Sequence, residues 1–168
     1  MVPEQRRGGL QVVQEQRDQQ SIFQIVVFQM DNEYYGADIA VVREVVPLQR
    51  VTRVPRTPDY VLGVINLRGR VIPVIDLRRR LRLCTSAATK ATRIAIAEVD
   101  GDQVGMVVDS VEEVARVPAD AVEPPSSLLS RVDREHVLGV AKVGGRLVTL
   151  LDLRQILVRE ERKTPVAQ

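Results

Sequence analysis

The chain has 168 residues, 24 Lys and Arg against 22 Asp and Glu, and a formal net charge of +2, which suits one domain of ordinary size with a mixed rather than basic surface. One His and one Cys exclude a multi-His or multi-Cys metal site, an iron–sulfur site and a disulfide framework. Thirty Val and nine Ile against three Tyr, two Phe and no Trp lean the chain towards β-structure and leave little for stacking bases.

In chain order, residues 1–21 are Gln-rich and polar. They predict a disordered tail, as does 159–168, because neither can bury enough apolar surface to offset ordering. No run has the apolar length of a signal peptide or a spanning helix. A cytoplasmic protein without membrane insertion is therefore expected, and a single Cys suits a reducing compartment. The first hairpin is predicted from Ile22–Met30, a turn at Asp31-Asn32 and Glu33–Gly36. Residues 59–63, behind Pro58, read as one helical turn. A strand pair follows, with 64–67 and 70–75 joined at Arg68-Gly69. The small, polar segment Cys84–Ala91 reads as a linker. A second hairpin, Arg93–Val99 and Asp102–Val108, turns at Asp100-Gly101, a strong hairpin signal. A Pro/Ser-rich connector over 115–136 leads to a last strand pair, 140–143 and 146–151, joined at Gly144-Gly145.

The chain is internally duplicated. Residues 61–81 and 137–157 share ten identities in twenty-one positions without a gap. Upstream, Asp31, Gly36, Val42, Glu44 and Val45 recur as Asp100, Gly105, Val111, Glu113 and Val114. The repeat units span about 22–83 and 92–157 within one domain over 22–158. About five short strands per unit, none able to bury a face alone, point to two small barrels packed together.

Few residues suggest chemistry. One Asp per half, Asp76 and Asp152, could mimic a carboxylate dyad, but their Ile-Asp-Leu-Arg and Leu-Asp-Leu-Arg contexts fit a strand end that caps the next turn. Ser126, Ser127, Asp133 and His136 lack the surroundings of a strained nucleophile. No glycine pattern leads into a Lys-Ser or Lys-Thr phosphate cradle. The run Arg78-Arg79-Arg80-Leu81-Arg82 reads as a solvated face or, at lower weight given the small net charge, as a nucleic-acid patch. Glu44 and Arg68 stand out. The second unit keeps an acid at Glu113 but has Gly144 where the first has Arg68, and a charge present in one half alone points to function. An ordering ion pair and an incidental surface Arg both remain open on these residues.

The segments Tyr35-Gly36-Ala37-Asp38-Ile39, Val42-Arg43-Glu44-Val45, Val51-Thr52-Arg53-Val54-Pro55, Gly63-Val64-Ile65-Asn66-Leu67-Arg68-Gly69 and Pro73-Val74-Ile75-Asp76-Leu77-Arg78 together resemble the CheW-type chemotaxis coupling proteins, from about Ile22 to Leu157. The resemblance implies a mainly β fold of two SH3-like five-stranded barrels around a shared hydrophobic core. It implies no catalysis and no cofactor or metal. The implied partners are the regulatory domain of the histidine kinase CheA and the cytoplasmic tip of methyl-accepting chemoreceptors, at membrane-associated arrays. A receptor helical hairpin would lie in a groove between the subdomains, carried over onto Val42, Gly63, Asn66, Arg68, Gly105 and Val114, with Glu44 and Arg68 as the family's acidic and basic pair. Pro124, Pro125 and Leu128 are candidate kinase contacts. A pathway controlling pili or gliding is an alternative to a flagellar one. A basic β-barrel binding nucleic acid is the alternative from another class.

Overall fold

A computed structural model describes residues 21–126 and 131–157. Ten strands carry it: β1 (Ile22–Met30), β2 (Glu33–Asp38), β3 (Val42–Pro47), β4 (Val61–Leu67), β5 (Arg70–Asp76), β6 (Arg93–Val99), β7 (Asp102–Val108), β8 (Ser110–Pro118), β9 (Val137–Val143) and β10 (Arg146–Leu151). A single-turn helix α1 (Leu77–Arg80) follows β5, and residues 153–157 are helical after β10. The predicted tails fall outside the described residues, apart from Ser21.

Turn chemistry writes the hairpins. Asp31 and Asn32, Asp100 and Gly101, Arg68 and Gly69, and Gly144 and Gly145 all have positive φ, between 51° and 86°. Two successive left-handed residues make the tight turn whose twist matches that of paired strands. The helical turn predicted over 59–63 does not form. Val61 donates to the Pro58 carbonyl at 3.0 Å, which closes a turn, and β4 starts at once. The β-branched Val61, Val64 and Ile65 gain more from pairing with β5 than from a lone helical turn.

Pairing between strands departs from the sequence repeat. One five-stranded sheet runs β8-β1-β2-β10-β9 and the other β3-β6-β7-β5-β4. Each repeat supplies five strands, yet neither repeat closes its own sheet. The hairpin β1–β2 joins β8, β9 and β10, while the hairpin β6–β7 joins β3, β4 and β5. Replacing each strand by its repeat counterpart converts one order into the other, so the units have exchanged hairpins within one chain. Two short parallel contacts stitch the exchange, β2 to β10 at Tyr34–Gly36 and β5 to β7 at Gly105–Val107.

Three cores result. Ile25, Val27, Ala115, Ala141, Val148 and Leu150 fill the first barrel. Their repeat counterparts Ile94, Ile96, Val46, Ile65, Ile72 and Val74 fill the second. The largest core lies between the sheets and gathers Phe28, Met30 and Tyr35 from one sheet, Met106 and Val108 from the other, and Leu77, Leu153 and Ile156 from the helical turns. Each such side chain removed from water contributes about 1.5–3 kcal/mol before entropy is subtracted. The alternation is visible along β1, where Ile25 and Val27 face the barrel while Val26, Phe28 and Met30 face the shared core.

Candidate functional site: an apolar groove beside the β4–β5 hairpin

The outer face of β4, β5 and β7 is not fully covered. A groove of about 650 Å³ runs along it, lined by Val61, Val64, Val71, Pro73 and Val104, with Leu157 of the other half at one wall. Val71, the second residue of β5, is 70% exposed and, together with the apolar lining beside it, presents an uncovered apolar surface. Val54 and Thr57 close one side from the β3–β4 loop, and Asp102 and Gln103 stand on the other. Asn66 pairs with Val71 across the hairpin and so lies at the outer end of this face.

Gly63 forms part of the wall. Its φ of +142° is closed to side-chain-bearing residues, and a Cβ there would overlap the Thr52 carbonyl oxygen. That contact is needed because Thr52 and Val64 exchange two backbone hydrogen bonds of 2.8 Å each. They hold the β3–β4 loop down on β4. The repeat counterpart repeats the device: Glu123 and Val140 exchange two 2.8 Å bonds, and a Cβ on Gly139 would come within 2.6 Å of the Glu123 carbonyl oxygen.

Arg68 occupies the first turn position with φ of 52°, and its guanidinium pairs with the Glu44 carboxylate of β3. The Glu44 hydrogen bond raises the Arg68 pKa, so the guanidinium stays charged. Asn66 Oδ1 accepts from the Gly69 amide at 2.9 Å and braces the same turn. The ion pair ties edge strand β3 to the β4–β5 turn, two residues before the groove-lining Arg70.

The idea that this charge belongs to one half alone is corrected by the structure. In the first sheet Arg146 pairs with Glu113 and with Glu112 of β8, and its guanidinium stacks 4.4 Å from the Tyr34 ring centre. Glu113 is the counterpart of Glu44, but its arginine comes from two residues further along the turn. Both sheets therefore carry an acid–arginine latch. The second latch differs in being covered by an aromatic ring, since Gln103 is the counterpart of Tyr34.

Other expected groove residues lie elsewhere. Val42 is buried in the shared core. Gly105 sits at the parallel junction with Val74, where a Cβ would come within 2.9 Å of Ile94 Cγ2. Both are buried and act by packing the strands around them. Val114 is 55% exposed, but on β8 of the other sheet. Among the kinase candidates, Pro124 is exposed and Pro125 half-buried, next to the pinned Glu123, while Leu128 lies outside the described residues.

The arginine run is not a uniform solvated face. Arg78 is buried, gives its Nε and Nη2 to Asp76 at 2.9 and 2.8 Å, and gives its Nη1 to Asp109 at 2.6 Å. Hydrogen bonding to Asp76 pushes its pKa up against the opposing effect of burial. Asp109 also accepts from the Asp31 amide, and Asp31 accepts from the Cys84 amide and from Arg131. This chain ties the second sheet, the linker and the first hairpin together. Asp76 caps α1 through the Arg78 amide at 3.0 Å, and Asp152 accepts from the Gln155 amide at 3.1 Å, so each Asp ends a strand and caps a turn. Asp133, Glu135 and His136 bring ligand atoms within 4.8 Å of one another. They are the described residues best placed to hold a cation, and nothing else at that turn points to one. Among the described residues no helix is long and apolar enough to cross a membrane.

The family model described as CheW-like domain matches residues 24–161. The chemotaxis protein CheW of Klebsiella aerogenes is 33% identical over 138 residues, covering 82% of this chain and 83% of that one. The Helicobacter pylori chemotaxis protein CheW is 34% identical over 145 residues, covering 86% and 87%. Among solved structures, the scaffolding protein TtCheW of Thermoanaerobacter tengcongensis is 38% identical with a TM-score of 0.74, covering 81% of this chain and 88% of that one.

Proposed function

The chain belongs to the CheW-like domain family, and from that premise we propose that it is a non-catalytic adaptor joining the cytoplasmic tip of a chemoreceptor to the regulatory domain of the kinase CheA at a cytoplasmic, membrane-associated array. The observation that carries this reading is the apolar groove along β4 and β5, flanked by the Glu44–Arg68 latch. A helix presenting an apolar stripe can lie in such a groove, and the latch fixes the hairpin that forms its floor.

Val71, Asn66 and Gly63 belong to this receptor face, Gly63 through the loop it pins. Glu44 and Arg68 set its edge. Val42 and Gly105 act by packing beneath it. The kinase contact is assigned to the connector at Pro124 and Pro125, on the other sheet, which leaves both partners room on one small body. Two modest affinities on a rigid scaffold become strong when arrayed, because each bound partner raises the effective concentration of the next. Signal passes by differential affinity for two kinase states, so no chemistry is required of the adaptor.

Val71→Asp tests the receptor face. A carboxylate on an apolar groove must stay solvated, so binding of a receptor signalling-tip hairpin by calorimetry is expected to fall at least about tenfold, a loss of about 1.4 kcal/mol. Kinase binding is expected to be unchanged. Equal receptor binding by the variant would remove the groove from this role.

A further inference from the structure

One side of the groove is strongly cationic. The β3–β4 loop presents Arg50, Arg53 and Arg56, all exposed, at three-residue intervals around the groove-lining Val54 and Thr57. No carboxylate among the described residues forms an ion pair with any of the three. The nearest acid in the loop is Asp59, and its carboxylate forms no ion pair with them. Arg70 adds a fourth guanidinium to the groove wall.

This loop is braced rather than loose. Thr52 is bonded to Val64 at both ends of its peptide, Thr57 Oγ1 donates to the Val54 carbonyl at 3.0 Å, and Pro55 and Pro58 fix their own φ. Three like charges within seven residues of one braced loop repel each other, so the arrangement is costly without a partner. Arg56 also sits at φ of +62°, a left-handed position at which a long side chain is disfavoured relative to Gly or Asn. Such strain at an exposed position is a pointer to use.

The duplication supplies an internal control. The equivalent connector of the other half, residues 119–136, is pinned to β9 through Glu123 as this loop is pinned to β4 through Thr52. Around that bridge, over 119–126, it carries Asp120 and Glu123 and no arginine, and its arginines come later, at Arg131, which pairs with Asp31 and Glu33, and Arg134. The fold therefore does not require positive charge beside the pinned bridge.

We propose that Arg50, Arg53 and Arg56 form a specificity rim that selects, for the adjoining groove, a helix carrying carboxylates along the flank of its apolar stripe. The inference rests on the receptor reading of the groove and adds the charge pattern of the partner. A concave apolar floor beside the arginines favours a protein helix over a flat anionic membrane surface. The rim steers encounter and sets the salt dependence of binding more than it adds buried contact.

The test titrates a receptor signalling-tip hairpin against the wild type and the triple variant Arg50→Gln/Arg53→Gln/Arg56→Gln over a range of salt, with circular dichroism as the fold control. A second hairpin has the glutamates flanking its apolar stripe changed to glutamine. At low salt the triple variant is expected to bind the native hairpin about tenfold more weakly, with a much shallower salt dependence. The neutralised hairpin should bind wild type and variant equally. An unchanged affinity and salt slope in the variant overturns the rim while leaving the receptor reading intact. Absence of binding by the wild type at every salt overturns the receptor reading and the rim together. Phosphatidylglycerol vesicles form the third arm. Vesicle binding lost in the triple variant, with hairpin affinity unchanged, assigns the arginines to a membrane surface and refutes the proposal.

Discussion

Gly63→Ala separates the fold's two glycine devices. At φ of +142° an alanine stores about 1–3 kcal/mol of backbone strain. Its Cβ also displaces the Thr52 carbonyl, which costs the two Thr52–Val64 hydrogen bonds, each worth about 0.5–1.5 kcal/mol net. Together the loss is about 2–6 kcal/mol, a large share of the ~5–15 kcal/mol that holds a domain of this kind. Gly139→Ala faces the same displacement of a pinned carbonyl, that of Glu123, but its φ lies outside the left-handed region. Its cost is the hydrogen-bond part alone, about 1–3 kcal/mol. Urea unfolding monitored by circular dichroism reads both. The Gly63 variant is expected to have the lower midpoint, with an unchanged m-value. It should also lose receptor affinity under conditions where it is folded, because Val54 and the rim arginines move with Thr52. A Gly63→Ala stability within about 0.5 kcal/mol of wild type, the range of a neutral surface change, or a costlier Gly139→Ala, would refute this account of the loop.

Arg78→Met leaves Asp76 and Asp109 without their shared cation, and breaking such a buried pair costs about 3–5 kcal/mol. Replacing Asp76 and Arg78 together with apolar residues should recover much of that loss, as thermal unfolding would report. Tyr35 donates to Glu33 at 3.0 Å, and burial, then the Glu33 hydrogen bond, raises its pKa. The folded state therefore holds this proton after the unfolded chain has released it. The contribution is complete below the ordinary phenol value near 10 and is lost as pH rises above it. In Tyr35→Phe the fall in stability above that pH should be shallower, and an identical slope would contradict the assignment.

Much of the fold is legible because its signals are local. The Asp-Gly, Gly-Gly and Asp-Asn turns and the alternating valines fix hairpins and faces within a few residues. The hairpin exchange is not legible, because alternation says which side chains face inward but not which distant strand will be the neighbour. The parallel contacts that carry the exchange involve only three residues each. Arg78 is hidden by its context: within four arginines it reads as solvated, and only the capping Asp76 two residues earlier hints at a buried pair. Arg146 escapes a position-by-position comparison of the repeats because its latch takes the arginine from two residues later in the turn. The signal the sequence does carry is the arginine both repeats keep just after the turn, Arg70 and Arg146. The spacing of Arg50, Arg53 and Arg56 is plain in the sequence, but its meaning depends on the groove, which exists only once β4 and β5 face Leu157.

In the proposed role, one small body holds receptor and kinase at once through different faces. A sedimentation experiment that mixes the full chain with a receptor signalling-tip hairpin and a CheA regulatory domain reads this directly. A ternary complex is expected with wild type. With Arg68→Glu, which sets two carboxylates against each other at the Glu44 latch, a binary complex with the kinase domain alone and an unchanged circular dichroism spectrum are expected. Mutually exclusive binding of the two partners, or a ternary complex undiminished by Arg68→Glu, would contradict it.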